Sequence, residues 1–387
     1  MKHSFYIPTH IFYGAGCLDK LGEIKLPGKK ALIVTTSSTR FVECGYFNRL
    51  KTLLKRGEAD AILYDKVCVN PSKAQVEEAT ELFLKEGCDM VLGFGGGSSI
   101  DTAKAVAMLA ANGGDLWDYV QSGSGRGAEI KVKPYPIIAV STTAGTGTES
   151  DPWIVITKED TNEKLGLGSA DMFATYAFLD AELMVTVPQK LTAYQGFDAL
   201  FHAMEGYIAT TATPVSDIFA LKSISLIGKS LVRAYENGQD IHAREEMAMA
   251  SSLSGIVESI SYCTGNHSIA QAMAAYYNQI PHGAALLMTA NEYFRHFEPI
   301  VPERFADMAK ALTGNANADT EDLLGKLIEM ENACGVDTLT MSDYGITEDM
   351  LSVIADNAYD WQYDQFEVEP VPMTKAEVLN VLKKSYR

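Results

Sequence analysis

The sequence has no Cys-x-x-Cys pair, no internal repeat, no low-complexity tract and no long apolar run. Its six cysteines, Cys17, Cys44, Cys68, Cys88, Cys263 and Cys334, are scattered. That excludes a disulfide framework and a zinc knuckle, and the six are expected to be reduced, mostly buried, small hydrophobes. No stretch reaches the roughly 18 apolar residues that a membrane-spanning helix needs. Pro8 interrupts the N-terminal MKHSFYIPTH before a signal-peptide core can form, so the expected location is the cytoplasm. Basic residues are also short: 32 Lys and Arg against 50 Asp and Glu leave a formal charge of -18. A phosphate backbone or an anionic membrane surface would ask for the opposite balance, so neither nucleic acid nor membrane is an expected partner.

What is present is ordinary globular material, 47% hydrophobic and 21% charged over 387 residues, enough for two or three domains with sizeable cores. The first half alternates strand and helix patterns. Ala31 to Thr35, Ala61 to Tyr64, Met90 to Phe94 and Ile137 to Val140 are short apolar runs. Between the second and third, Val76, Ala79, Leu82 and Phe83 recur at helical spacing, and another helix pattern opens at Ser98. This alternation predicts a parallel sheet flanked by helices. From Thr192 onward long helical patterns follow one another without convincing strands: 192–209, 215–235, 243–259, 302–312, 320–334, 347–357 and 374–386. The change of rhythm near Val187 and Pro188 predicts an α/β domain over 1–187 and an all-helical domain over 188–387. The glycine-rich stretch 112–127 is expected to be a surface loop.

Three segments carry chemistry. Gly93 to Asp101 (GFGGGSSID) follows a strand and opens a helix, so its backbone N–H groups can cradle a phosphate. It is not the usual dinucleotide fingerprint, because Ser98 stands where the third glycine would be. Ser141 to Glu149 (STTAGTGTE) offers hydroxyls at a strand's C-terminal end, where open α/β sheets bind ligands. Asp198 and His202 are four residues apart, hence on one face of a helix. Of the seven histidines, His202, His242, His267 and His282 cluster in the second half; His242 lies in a charged stretch and reads as solvated. His3, His10 and His296 have no functional reading. Asp198 with His202, His267 and His282 forms a carboxylate-plus-imidazole set suited to Fe, Zn or Mn. Pro281-His282-Gly283 reads as a constrained turn. A metal beside a nicotinamide is the outfit of an alcohol dehydrogenase.

Taken in order, Asn70-Pro71, GGGSSIDTAK (95–104), STTAGTGTE (141–149), FDALFHAMEGY (197–207) and Pro281-His282-Gly283 resemble the iron-dependent alcohol dehydrogenase family, over nearly the whole chain. The resemblance implies a dehydroquinate-synthase-like fold, with the active site in the cleft between a nucleotide-binding domain and a helical one. It implies that Asp198, His202, His267 and His282 hold the metal, Fe(II) with Zn(II) as the common replacement. It implies that Gly96, Gly97 and Ser98 hold the cofactor pyrophosphate, that Thr142, Thr143 and Thr146 form a second cofactor loop, and that Asn70, Asp101 and Lys164 lie near the cofactor. A small alcohol or aldehyde as substrate and a homo-oligomer, a dimer or higher, are implied as well.

Two departures stand out. Many family members carry His-x-x-x-His at the third ligand, with the second histidine assigned to proton relay. Here the segment reads His267-Ser-Ile-Ala-Gln271, and Gln271 hydrogen-bonds but does not titrate. Members that prefer NAD often carry an Asp after the first strand. Here the run is Thr36-Ser37-Ser38-Thr39-Arg40, which favours NADP(H) over NAD(H) with Thr36 at the matching position. Two other readings compete. Maleylacetate reductases resemble the family without needing a metal, but the intact ligand set argues against that. A non-catalytic nucleotide-binding protein would have lost ligands or the glycine loop. The substrate pocket is expected near Trp153, Phe173, Cys263 and 276–280.

Overall fold

The computed structural model describes residues 4–36 and 39–387. Ser37, Ser38 and the side chains of Thr39 and Arg40, all in the run invoked for cofactor preference, lie outside the described residues. Two compact units emerge. One spans Tyr6–Thr142 and Thr148–Leu183; the other spans Met184–Arg387 and takes in Thr143–Gly147.

In the first unit the chain runs β1 (His10–Tyr13), β2 (Lys30–Thr36), α1 (Thr39–Glu43), α2 (Tyr46–Arg56), β3 (Asp60–Val67), α3 (Lys73–Lys85), β4 (Met90–Gly95), α4 (Gly97–Asn112) and β5 (Ile137–Ser141). A hairpin of β6 (Trp153–Lys158) and β7 (Glu163–Gly168) and a last strand, β8 (Tyr176–Leu179), follow. Six strands form one sheet in the order β1-β8-β5-β4-β2-β3, every pair parallel. The central β4 and β5 are buried at every residue, which is why they read as unbroken apolar runs rather than as alternation. Leu50, Leu53 and Leu54 of α2 pack with Ile33, Leu92 and Val140 on one face. α3 starts at a reciprocal cap in which Ser72 and Gln75 satisfy each other's backbone N–H groups.

The expected sheet is present, and it holds two strands beyond the four that periodicity showed. β1 and β8 are four residues each, too short for a period to declare itself. The hairpin is turned by Asn162 at φ 53 and was equally silent. The stretch 112–127 is not simply a surface loop. It contains a short 3-10 turn, Leu116–Tyr119, with Leu116, Trp117 and Tyr119 buried, and Trp117 Nε1 donates to Glu163 Oε2 at 3.1 Å.

β2 hands the chain outward to β3, and the next crossover returns it to β4 on the other side of β2. The C-terminal ends of β2 and β4 therefore flank the point where strand order reverses, the usual ligand crevice of such sheets.

The second unit is helical: α5 (Gln189–Ile208), α6 (Pro214–Glu236), α7 (Ile241–Ser261), α8 (Gly265–Tyr276), α9 (His282–Phe297), α10 (Pro302–Thr313), α11 (Thr320–Ala333), α12 (Met350–Trp361), α13 (Tyr363–Glu367) and α14 (Lys375–Ser385). α5 is its axis. From Thr192 to Ile208 nearly every residue is buried, as in a helix surrounded by others. Close approach needs small residues: a Cβ on Gly196 would lie 2.1 Å from Leu231 Cδ1. α8 was missed by periodicity because it is buried nearly all round and shows no polar stripe, and the first half of α9 is buried in the same way. The constrained turn expected at Pro281-His282-Gly283 is a helix start: Pro281 is the N-cap of α9 and His282 its first residue. Three of the six cysteines are buried, and all six are unpaired. Among the described residues no helix is long and apolar enough to cross a membrane.

Candidate active site

The candidate residues fall into two groups, one in each unit. In the α/β unit the glycine loop expected to cradle a phosphate sits at the end of β4. Gly95 has φ 147, and a Cβ there would lie 2.5 Å from Ser99 Oγ, so only glycine fits. Gly96 caps α4 with no side chain satisfying the first N–H groups, which leaves Gly97 and Ser98 presenting an open helix start. Thr142 N donates to Gly95 O at 2.9 Å, tying the second loop to the first. Thr36 ends β2, the neighbour of β4. Thr36, Gly96, Gly97, Ser98 and Thr142 thus line the C-terminal edge of three adjacent strands.

Asp101 does not face a ligand with free oxygens. Its Oδ1 accepts from Thr148 Oγ1 at 2.7 Å and its Oδ2 from Val155 N at 3.0 Å. Beside it the fully buried Lys104 donates to Thr148 Oγ1, Asp151 Oδ1 and the Asp151 and Trp153 carbonyls at 2.8–3.0 Å. Asp101 and Lys104 therefore brace the start of α4 against the segment that leads into β6. Lys164 Nζ donates to Asn70 Oδ1 at 2.8 Å, so those two candidates meet each other, with Asn70 in the left-handed region at φ 56. Phe173 does not belong to this edge. It lines a cavity of about 810 Å³ with Ile137, Thr175 and Tyr135, at the opposite, N-terminal ends of β5 and β8.

Thr143 and Thr146 belong to the helical unit. There Ala144 N donates to Gln195 Oε1 of α5 at 3.3 Å, and Gly147, φ 65, lies against the backbone of α7. Ala144, Gly145 and Gly147 are buried while Thr143 and Thr146 stay half-buried. The small residues of this loop pack, and the threonines between them keep some exposure.

The helical unit gathers Asp198, His202, His267 and His282. α5 supplies Asp198 and His202 one turn apart, α8 supplies His267 from its first turn, and α9 supplies His282 from its first residue. Asp198 Oδ1 is 3.5 Å from His202 Nδ1 and 3.7 Å from both His267 Nε2 and His282 Nε2. These separations are too long for hydrogen bonds. Asp198 Oδ1, His202 Nδ1 and His267 Nε2 are buried without a hydrogen-bond partner. Buried polar atoms are seldom left so, and a divalent cation among them would satisfy all three. The side chains of Asp198, His202 and His267 are 5%, 6% and 2% exposed, against 24% for His282, so the cluster opens on the His282 side. Burial would raise the Asp198 carboxyl, but the His202, His282 and His267 imidazoles outweigh it and hold it at about 2. Burial and the charge of His267 hold His202 down at about 4. Both are therefore in their metal-binding protonation states near neutral pH.

The sequence reading missed what orients His267. Glu205, fully buried on α5, accepts from His267 Nδ1 at 2.7 Å, from Thr264 N at 2.9 Å and from Thr264 Oγ1 at 3.0 Å. A carboxylate only accepts, so Nδ1 carries a proton and Nε2, which faces Asp198, is the nitrogen left to a cation. Behind Glu205, Tyr293 Oη is 2.8 Å from Thr264 Oγ1 and 2.7 Å from Glu369 Oε1. Burial pushes Glu369 up to about 8. Tyr293 thus links Glu369 to Thr264, and Thr264 donates to Glu205, so a continuous hydrogen-bonded chain stands behind the carboxylate. Glu205 was legible in principle, since residues 198, 202 and 205 share one helical face. Thr264, Tyr293 and Glu369 were not, because only packing brings them there. Gln271 sits one turn beyond His267 on α8, buried, with Oε1 lacking a partner.

Replacing Glu205 by Gln should lower affinity for a divalent cation about 10–100-fold, the usual cost of losing an outer-shell carboxylate. Competition against a chromophoric chelator measures it. Equal affinities in the two proteins would show that Glu205 does not orient His267.

Comparison with known proteins gives one answer. The family model described as iron-containing alcohol dehydrogenase matches residues 8–181, and that of the Fe-containing alcohol dehydrogenase family, C-terminal, matches 192–386. Alcohol dehydrogenase 4 of Schizosaccharomyces pombe (strain 972 / ATCC 24843) is 34% identical over 360 residues, covering 92% of this chain and 83% of that protein. The NAD-dependent methanol dehydrogenase of Bacillus methanolicus is 33% identical, covering 92% of this chain and 93% of its own. Among solved structures, an archaeal halo-thermophilic Red Sea brine pool alcohol dehydrogenase superposes with a TM-score of 0.93 at 30% identity, covering all of both chains.

Proposed function

From the premise that this chain belongs to the iron-containing alcohol dehydrogenase family, and so is an oxidoreductase acting as an alcohol dehydrogenase, we propose a metal-dependent, nicotinamide-linked enzyme that interconverts small primary alcohols and aldehydes. The observation that carries the metal requirement is the convergence of three unpartnered buried atoms, Asp198 Oδ1, His202 Nδ1 and His267 Nε2, with His282 on the open side. When bound, Fe(II) or Zn(II) would supply Lewis acidity to the substrate oxygen, and the nicotinamide would supply or accept the hydride.

Asp198, His202, His267 and His282 hold the cation, and Glu205 keeps Nε2 of His267 available to it. Gly96, Gly97 and Ser98 meet the cofactor pyrophosphate with helix N–H groups. Thr142, Thr143 and Thr146 offer hydroxyls to the cofactor, with Asn70 and Lys164 beside it. Asp101 supports this edge from behind rather than binding directly. Gln271 can position a substrate or water by hydrogen bonding, but it cannot carry a proton away. The intact ligand set also separates this chain from reductases of the maleylacetate type.

Metal-stripped protein reconstituted without oxygen, with Fe(II) or with Zn(II), should oxidise NADPH in the presence of butyraldehyde. Turnover that persists unchanged in the stripped protein would overturn the metal requirement.

The cofactor reading rests on Thr36. A carboxylate at that strand end would repel a 2′-phosphate, and Thr36 carries no charge, which favours NADP(H). Thr36→Asp should move the NADP to NAD ratio of kcat/KM toward NAD by about tenfold or more, equivalent to ~1.4 kcal/mol of repulsion. A ratio that stays put would place the ribose contact elsewhere.

A further inference from the structure

The structure assigns Cys263 a role that the family's carboxylate-and-imidazole set does not include: we propose that it is a metal ligand, completing a His202–Cys263–His267 triad for a thiophilic divalent cation such as Zn(II). The proposal rests on the metal-dependent reading of the same site. Ligand atoms of His202, Cys263 and His267 all lie within 4.8 Å of one another, and so, as a separate set, do those of Asp198, His267 and His282. All three residues of the first triad are at least nine-tenths buried, and His202 Nδ1 and His267 Nε2 have no hydrogen-bond partner. Bonds of about 2.0–2.3 Å to zinc place tetrahedral ligand atoms roughly 3.3–3.6 Å apart, so the triad closes on a cation with small side-chain shifts.

Chemistry separates the two sets. His267 is common to both. Asp198 and His282 offer a carboxylate and an imidazole, which suit harder cations, while Cys263 offers a thiolate, which selects zinc over iron or manganese. Backbone geometry also favours the site. Tyr262, the C-cap of α7, has φ 65 and ψ 169, a conformation otherwise almost confined to glycine, and Cys263 follows it directly. On ligation the thiol proton leaves to solvent and an S–Zn bond forms.

The test uses the full-length protein loaded with one equivalent of metal. Cobalt(II), a spectroscopic stand-in for zinc, should give visible d–d bands from the bound ion and a near-ultraviolet thiolate-to-cobalt charge-transfer band. Cys263→Ser should lose the charge-transfer band, keep the d–d bands and bind Zn(II) at least about tenfold more weakly, no less than the loss of an outer-shell partner costs. X-ray absorption of the zinc-loaded unmodified protein should show a sulfur neighbour near about 2.3 Å. That reading does not depend on how the variant folds. Visible bands without charge transfer, together with a nitrogen- and oxygen-only shell, would overturn the role of Cys263 and leave the metal site standing. Failure to bind cobalt or zinc at all would overturn both.

Discussion

His267→Ala protein should retain no divalent metal after desalting and should lose at least about 10³ in kcat/KM. His267 is the residue common to the two groups of close ligand atoms, Asp198–His267–His282 and His202–Cys263–His267. Its removal cannot be covered by switching from one to the other. Lewis-acid stabilisation is worth several kcal/mol, and about 1.4 kcal/mol is a factor of ten, hence the thousandfold loss. The substitution also takes one of four donors from the buried Glu205, leaving Thr264 N and Oγ1 and the backbone N of residue 267. That lost charge-assisted bond should destabilise the fold by about 1.5–3 kcal/mol, so thermal melting has to accompany the metal analysis. A variant that melts cooperatively, holds no metal and does not turn over fits the assignment. One that keeps stoichiometric metal and full activity removes His267 from the ligand set.

Gly147→Ala should destabilise the protein by about 2–4 kcal/mol, through packing more than through conformation. Gly147 has φ 65, and a Cβ there would lie 2.5 Å from both Gly255 N and Ser251 O. These are backbone atoms of α7 and cannot swing aside. Gly255 is the reciprocal case, since a Cβ on it would lie 2.1 Å from Gly147 O. Gly314, at the end of α10, separates the two causes. It has φ 69 with nothing within 4 Å of an added Cβ. Gly314→Ala should therefore cost only the left-handed conformation, about 1–2 kcal/mol. Urea midpoints of the two alanine variants decide the matter. If Gly147→Ala is no worse than Gly314→Ala, the close approach to α7 is not what demands glycine.

Gly147 also shows why a motif and its physical role can part. In the sequence it belongs to STTAGTGTE, and that segment reads as ligand-binding because it is rich in hydroxyls and glycine. In the structure the segment has two tasks. Thr142 stays with the sheet, bonded to Gly95, while Ala144, Gly145 and Gly147 are buried against α5 and α7. Asp101 is a second instance. Its place at a helix start suggested a ligand contact, yet both oxygens are spent on Thr148 and Val155. A carboxylate's partners are chosen by what packs against it, and the packing segment here lies some fifty residues further along the chain.

The sequence by itself determined the layout and the reaction class. Unbroken apolar runs can only be central parallel strands or buried helix. Glycines before a helix start make an anion cradle wherever they occur, and Asp198 and His202 four apart must share a face. These are local rules, complete within one or two turns of chain. The tertiary structure decided the rest. It placed Thr264, Tyr293 and Glu369 behind Glu205, set Phe173 at the far edge of the sheet, made Pro281-His282 the first turn of α9 and brought Cys263 within reach of two imidazoles. Each of these depends on a contact between residues far apart in sequence. Such contacts are selected by which faces of several buried helices interlock at once, and no single helix carries that information in its own period.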